Sequence, residues 1–370
     1  MITKTNAFYK NFEGTPYEIG KQLGEMCLQI PEMVKCLIIE KPIFSSEELK
    51  EIYNMFDLYC YGINEEIRGF ADVINVSKEQ VLYYTSTYLK CGCSLMTVLP
   101  SKINNGHMIM ARNYDFSDKM EDIILVNTKV TGKYAHTGSL ISMFGRGDGM
   151  NDQGLAACQA SAGIPVGNFD GGRKPAIAGL QFWAVIRSIL ENCKDVTESV
   201  EYVMRVPLAY NINLMIADKF GNAVLIESYD GKKAFKKCDK TTNEQFLCAT
   251  NHLVLPELSH FEPMHLKTSD VRYKLIQNML TSKAQLSIKN LKQLLSEKYP
   301  KGLCCHYYDE FFGTLRAMVF DVTDSKLEIC FGSPNNNQWY TFKVNESVTQ
   351  EVFPVNLERE KAPDDFYDIV

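Results

Sequence analysis

The chain has 370 residues, enough for two domains or one large one, with a core hiding on the order of three quarters of the unfolded surface. Its 39 basic and 45 acidic side chains leave a net charge of −6. No basic excess is available to neutralise phosphates, which disfavours nucleic-acid and anionic-membrane roles. A hydrophobic content of 45%, plentiful Phe and Tyr and the lack of any low-complexity run argue against disorder.

The start, Met1 to Lys10, shows no long apolar stretch and no small-residue cleavage site, so no signal peptide is expected. Thr15-Pro16-Tyr17-Glu18 predicts a helix start with Pro in the first turn, followed by Ile19, Leu23 and Met26 at helical spacing. Ser45 to Glu48 opens a second helix. Ile63 to Val73 and Lys78 to Leu89 continue in the same style, and Ser77 to Gln80 matches a capping box. The first ninety residues therefore read as helical.

The texture changes at Cys91-Gly92-Cys93. Cys93 to Val98 and His107 to Phe116 read as the arms of a hairpin around Asn105-Gly106. Ile123 to Val130, Ser139 to Phe144 and Gly154 to Ala160 read as further strands, with Gly145 to Gly149 as a loop. Ile177 to Arg205 carries two helical segments. The more apolar one, Ile177 to Leu190, is too short to span a bilayer and contains Gln181 and Arg187. Asn213 to Asp218 and Ala223 to Ser228 predict a hairpin, and Phe246 to Thr250 another strand. Ser269 to Leu280 and Ser287 to Glu297 predict helices. Arg316 to Val322 and Leu327 to Phe331 predict a late hairpin, before an extended acidic tail after Pro354. Segregated runs of helices and strands favour an α+β layering over a doubly wound parallel sheet. A soluble cytoplasmic protein is expected, its twelve cysteines reduced and most of them buried. No CxxC pair occurs, so no structural zinc is expected. No cofactor is implied.

Cys93 stands out because it follows a glycine and opens a strand. With the turn centred near Asn105, it falls opposite roughly residues 115 to 118 of the returning arm, which carries Ala111-Arg112-Asn113-Tyr114-Asp115-Phe116. A cation and a carboxylate are thereby brought near one thiol. The odd separation of Arg112 and Asp115 puts them on opposite faces of a regular strand. Both reach Cys93 only if the strand bulges near Asn113.

Gly92-Cys93-Ser94, the hairpin, and Arg112 to Phe116 resemble the nucleophile region of the acyl-coenzyme A:isopenicillin N (6-aminopenicillanic acid) acyltransferases, autoproteolytic relatives of the choloylglycine hydrolases and penicillin V acylases. Phe12 to Gly20 resembles the opening of that family, and Glu66 to Ala71 its helix before the nucleophile. Met150-Asn151-Asp152-Gln153-Gly154-Leu155 resembles its strand entry, Ala249 to His252 its Thr-Asn-His segment, Thr268-Ser269 with Arg272 its later arginine, and Arg316 to Gly332 its last hairpin. The resemblance covers most of the chain. It implies a four-layer αββα N-terminal-nucleophile hydrolase fold with a helical N-terminal segment. It also implies a precursor that cuts itself between Gly92 and Cys93. Residues 1–92 would then remain bound as a small subunit to a catalytic domain of 93–370. The freed α-amine of Cys93, with an ordinary pKa of about 7.7–8.0, would take the proton of its own thiol.

The resemblance assigns the other roles by position. Asp115 orients the amine, and Arg112 favours the thiolate. Asn251 donates its side-chain amide to the oxyanion, with a backbone N–H near Ser161 as second donor. Arg272 pairs with Asp115 or the active-site backbone. At Cys158 to Gly163 the choloylglycine hydrolases carry an Asn that this sequence lacks. The expected substrate is a small acyl amide or acyl thioester, with the specificity pocket drawn from Phe144 to Met150, Ile164 to Arg173 and Tyr307 to Phe312. Hydrolase and acyltransferase are not separated by the sequence, and the oligomeric state, a homo-oligomer included, stays open. Two rivals remain. One is a Cys-His protease using Cys93 or Cys304 with His252 or His306. The other is an unprocessed, catalytically silent binding protein. Cys91 is the rival nucleophile, and Cys304-Cys305-His306 a weak metal fragment.

Overall fold

The computed structural model describes the chain apart from residues 42, 85–91, 122, 165, 167–172 and 347. It opens on a strand, β1 (Ile2–Gly14), where the sequence reads as helical. The strand buries Ala7 and Tyr9 on one side, a period-two pattern too short and polar to stand out in the sequence. Its partner β16 (Val352–Glu358) is at the far end of the chain, so no local signal announces the pairing. The tail is thus extended, as expected, but partly paired.

The helices follow the caps. Thr15 caps α1 (Pro16–Leu28) in a reciprocal box with Glu18, and Ser45 caps α3 (Ser46–Tyr59) with Glu48. Between them lies the short α2 (Pro31–Leu37), and α4 (Ile63–Ile74) follows. Helices α1 and α4 cross at glycines: a Cβ on Gly20 would stand 1.9 Å from Glu66 O, and one on Gly69 2.1 Å from Tyr17 O. The Ser77 box is present, but it starts a 3₁₀ turn (Lys78–Gln80) followed by another (Leu82–Tyr84). The rest of the helix expected to Leu89 lies outside the described residues.

Next come β2 (Gly92–Val98), β3 (Ile109–Phe116), β4 (Ile124–Val130), β5 (His136–Ile141), β6 (Gly145–Asn151) and β7 (Leu155–Ser161). Strand β6 occupies the stretch expected to be a loop; its three glycines are buried between neighbouring strands and α5 rather than free at a turn. Helices α5 (Phe182–Asn192) and α6 (Val196–Arg205) precede β8 (Ile212–Asp218), β9 (Ala223–Tyr229), β10 (Lys232–Cys238) and β11 (Phe246–Ala249). Then follow α7 (Pro256–Ser259), α8 (Lys267–Ser282), α9 (Ile288–Ser296), β12 (His306–Tyr307), β13 (Phe312–Asp321), β14 (Lys326–Phe331) and β15 (Trp339–Lys343).

The strands form two sheets. One runs β10-β9-β8-β7-β6-β5-β4-β1-β16, antiparallel except between β1 and β4. The other runs β11-β2-β3-β13-β14-β15, with β12 on β13. Strand β2 packs on β7 and β8, and β11 on β9, so the sheets lie face to face. Helices α5 and α6 cover the outer face of the first sheet, and α8 and α9 that of the second. The layers are therefore αββα, and the fold is α+β as the order of elements implies. A separate apolar cluster joins Met96, Val98 and Ala111 to Ile276, Leu280, Leu291 and Leu295 under α8 and α9.

The described part of the first 92 residues is built into this sandwich. Strand β1 sits between β4 and β16. The α4 carboxylate of Glu66 forms a buried fork with Arg187 of α5 at 2.7 and 2.6 Å, and Arg187 Nε donates to Glu191 at 2.8 Å. Two carboxylates share one guanidinium there, and Lys133 adds a second cation on Glu191. None of the described helices is long and apolar enough to cross a membrane.

Candidate active site at the start of strand β2

The β2–β3 ladder runs unshifted from Gly92↔Asp115 to Val98↔Ile109, which sets Cys93 opposite Tyr114. That is one residue short of the expected 115 to 118. No bulge occurs near Asn113, so Arg112 and Asp115 stay on opposite faces of β3. Cys93, Arg112 and Tyr114 face the first sheet. Ser94, Asn113 and Asp115 face the helices: Arg272 of α8 donates to Ser94 Oγ at 2.9 Å, and Asn113 Nδ2 donates to Leu295 O of α9 at 3.0 Å. The irregularities fall in neighbouring strands, between Thr314 and Arg316 in β13 and around Gly147 in β6. The β6 bulge makes room for Arg316: a Cβ on Gly147 would lie 3.0 Å from Arg316 Nη2.

Three residues distant in sequence converge on Cys93. Arg112 Nη2 donates to its Sγ at 3.0 Å. Its backbone N–H donates to Asn251 Oδ1 at 3.0 Å. Its backbone carbonyl accepts from Arg272 Nη1 at 2.8 Å, and Arg272 Nη2 donates to Asn251 Oδ1, also at 2.8 Å. Two donors on Oδ1 settle the amide orientation, so Asn251 Nδ2 points to Ser161, donating to its carbonyl at 2.9 Å and to Oγ at 3.2 Å. Cys93, Arg112, Asn251, Ser161 and Arg272 are thus gathered as expected. Arg272 takes the active-site backbone rather than Asp115.

Beneath the thiol lies a buried charge network that the sequence reading missed. Arg112 Nη1 donates to Asp148 at 2.9 Å and to Gly147 O at 3.0 Å. Arg316 reaches Asp148 at 3.4 Å and Glu121 at 2.8 Å, with its guanidinium 3.8 Å from the Tyr114 ring centre. The Tyr114 hydroxyl donates to Glu121 at 2.6 Å. Asp148 belongs to the stretch taken for a loop. Its signal was a charged pair, Arg146 and Asp148, set among glycines in an otherwise apolar region.

Arg112 pulls the Cys93 thiol in the expected direction, but burial outweighs it. Burial pushes the Cys93 thiol up to about 11, although Arg112 and Arg316 pull it down. In the uncut chain the thiol is therefore protonated near neutral pH. Burial likewise pushes Asp115 up to about 6, against the pull of Arg272 and a 2.6 Å hydrogen bond from Thr314. Its other oxygen, Oδ2, is buried without a hydrogen-bond partner among the described residues. A carboxyl whose folded pKa lies above the unfolded value near 4 contributes stability that is complete below pH ~4 and is lost as pH rises through about 6. Asp115→Asn keeps the acceptor for Thr314 and removes that loss. In a Cys93→Ala background it is expected to raise stability at pH 7.5 by on the order of 3 kcal/mol and to change little at pH 4. Urea unfolding at both pH values checks this; equal stability at pH 7.5 would mean that the carboxylate is compensated.

The histidines have other partners. His252 Nδ1 lies 2.8 Å from Ser269 Oγ, and the ring stacks on His265 at 4.1 Å. His306 Nε2 lies 2.8 Å from Ser333 Oγ and 3.4 Å from Cys304 Sγ, deep in the structure. Burial pushes both histidines down. Burial also pushes Cys304 up to about 12, and Ser333 Oγ lies closer to His306 Nε2 than the Cys304 thiol does. Cys91 lies outside the described residues. Among the described residues, two carboxylate–histidine groups could hold a cation: His107 with Asp321 and Asp324, beyond the end of β3 remote from Cys93, and His306 with Glu358 and Glu360, where the Lys298 ammonium already bonds both carboxylates. Of the stretches expected to line the pocket, β6 touches Arg112 through Gly147, and Phe312 lies under Arg272 at 5.1 Å. Gly163 donates its N–H to Asn251 O, but most of Ile164 to Arg173 lies outside the described residues.

No protein of curated function matches the chain. Solved structures with partial likeness include the N-acylethanolamine-hydrolyzing acid amidase ortholog of Caenorhabditis elegans, at 16% identity and TM-score 0.44, covering 62% of this chain and 93% of that one. Penicillin V acylase from Agrobacterium tumefaciens aligns at 16% identity and TM-score 0.43, covering 69% and 87%. A mutant conjugated bile acid hydrolase from Clostridium perfringens aligns at 12% identity and TM-score 0.40, covering 70% and 96%. The family described as acyl-coenzyme A:6-aminopenicillanic acid acyl-transferase matches residues 102–336. That span is more than half of the chain; it starts after Cys93 and takes in Arg112, Asp115, Ser161, Asn251 and Arg272. The chain belongs to this acyltransferase family and is an enzyme.

Proposed function

We propose that the protein is a self-processing cysteine amidohydrolase or acyltransferase that works through an acyl-enzyme on Cys93. The observation that supports this best is the convergence of Arg112, Asn251 and Arg272 on the thiol, the amide N–H and the carbonyl of that one residue. In the processing step the Cys93 thiol attacks the Gly92 carbonyl carbon and the peptide nitrogen leaves as an amine, giving a thioester. Water then hydrolyses the thioester, releasing the Gly92 carboxylate and the thiol. Cys93 now carries a free α-amine, and the unpartnered Asp115 Oδ2 on the neighbouring strand is available to orient it.

In turnover the amine accepts the thiol proton. The thiolate attacks the acyl carbonyl of a linear amide or acyl thioester, and the oxyanion receives hydrogen bonds from Asn251 and a backbone N–H near Ser161. The leaving group departs with the proton, and water or an amine takes the acyl group from Cys93. The protonated, buried thiol of the uncut chain suits a latent precursor. The two fragments, 1–92 and 93–370, are expected to stay associated in the cytoplasm, because losing the first would open the sheet between β4 and β16 and strip Arg187 of Glu66.

Intact mass under denaturing conditions tests the proposal. Fragments of 92 and 370 − 92 = 278 residues are expected from the wild type, and one uncut chain from Cys93→Ala. An uncut wild type that fails to react with an acylating probe would leave a silent binding protein as the reading.

A further inference from the structure

Asn251 lies just beyond the end of β11, in a turn, yet it meets both Cys93 and Arg272 at hydrogen-bond distance. Turn residues hold a site within about 0.5 Å only when their surroundings lock them. Two buried side chains that the proposed chemistry does not use perform this locking. Asn213 of β8 and Glu227 of β9 are direct cross-strand neighbours, so both project from the same face of the first sheet. Asn213 Nδ2 donates to the carbonyls of Thr250 at 2.9 Å and His252 at 2.8 Å, the two residues that flank Asn251. Glu227 accepts from the backbone N–H of Val254 at 2.7 Å through Oε1 and from that of Leu255 at 3.1 Å through Oε2.

The two side chains are chemically complementary to the turn. An amide –NH₂ faces two carbonyls, and a two-oxygen carboxylate faces two N–H groups. The backbone is gripped on both sides of Asn251 and again three and four residues on. The Asn251 N–H, in turn, donates to Ser269 Oγ of α8 at 2.8 Å. From this backbone position the Asn251 side chain places Oδ1 on the Cys93 N–H and Arg272 and Nδ2 on Ser161.

We infer that Asn213 and Glu227 are positioning residues for Asn251, and that the acyl-transfer rate depends on them through it. The inference rests on the role proposed above for Asn251. The test is a double-mutant cycle with p-nitrophenyl hexanoate as the acyl donor, read as kcat and KM of the processed protein. Asn213→Ser and Glu227→Gln are each made in the wild type and in Asn251→Ala. Either substitution is expected to lower kcat about tenfold with KM changed less than about twofold, and to have almost no effect in the Asn251→Ala background, since residues acting as a unit are non-additive. An equal fold-loss in both backgrounds overturns the clamp and leaves the role of Asn251 standing. A wild type that releases no p-nitrophenol, or an Asn251→Ala enzyme of full activity, removes the underlying reading and the clamp with it. Glu227→Gln keeps side-chain volume and one acceptor, so the cycle can be completed if Asn213→Ser does not fold.

Discussion

Asn251→Ala is expected to lower kcat by about 10²- to 10³-fold, the usual cost of removing one preorganised oxyanion donor. In the uncut chain its Nδ2 donates to Ser161, a neutral contact at 2.9 and 3.2 Å. A developing oxyanion would compete for that donor, because a charge-assisted hydrogen bond is roughly twice as strong as a neutral one. The same side chain also accepts from Cys93 N–H and Arg272 through Oδ1. Asn251→Asp separates the two roles: it keeps both acceptor contacts, removes the donor and places a charge against the oxyanion. It should be at least as slow as Asn251→Ala in steady-state assays of the processed protein. An aspartate variant within tenfold of wild type would assign Asn251 to holding the Cys93 backbone rather than the oxyanion.

Arg112→Met should damage both stability and catalysis. Arg112 is wholly buried, donates to the Cys93 thiol and pairs with Asp148 at 2.9 Å. Removing one member of a buried pair leaves the other charged and unmatched, a loss of about 3–5 kcal/mol. Arg316 softens this, since it remains 3.4 Å from Asp148. Burial pushes Asp148 up, but Arg316 and Arg112 outweigh it and hold the carboxyl below its ordinary range. Stability from a lowered carboxylate pKa is present above the unfolded value near 4 and lost as pH falls through the folded one. The deficit of Arg112→Met should therefore be full at pH 7 and shrink as the medium approaches pH 3. Urea unfolding across that range checks the sign. A deficit independent of pH would trace the loss to packing around the guanidinium. Turnover should fall as well, because the thiolate loses its nearest cation while burial continues to disfavour it.

Sequence reading placed the candidate residues more closely than the architecture around them. Strands β2 and β3, the Asn105-Gly106 turn between them and most of the helices carried local signals: caps, a turn dipeptide, apolar periodicity. Cys93, Arg112, Asp115, Asn251 and Arg272 were legible as motif positions, and four of these five converge. Strands β1 and β10 and the strand nature of β6 were not legible. β1 pairs with the opposite end of the chain, β10 is a lysine-rich edge, and β6 hides its glycines among packed neighbours.

The sequence alone determined which groups are present and which lie close along the chain: a thiol after a glycine, and a cation and a carboxylate on the returning arm of one hairpin. Tertiary structure decided which of them meet. Strand alternation sends Arg112 to the thiol and Asp115 to the opposite face, since no bulge intervenes in β3. The facing sheet delivers Asp148 under Arg112, the pairing of β11 with β2 brings Asn251 onto the Cys93 N–H, and α8 lays Arg272 on its carbonyl. The balance of pKa shifts was decided there too, because desolvation depends on what surrounds a group in space. The resemblance implied an arginine that favours the thiolate; Arg112 does pull the thiol down, but burial outweighs it.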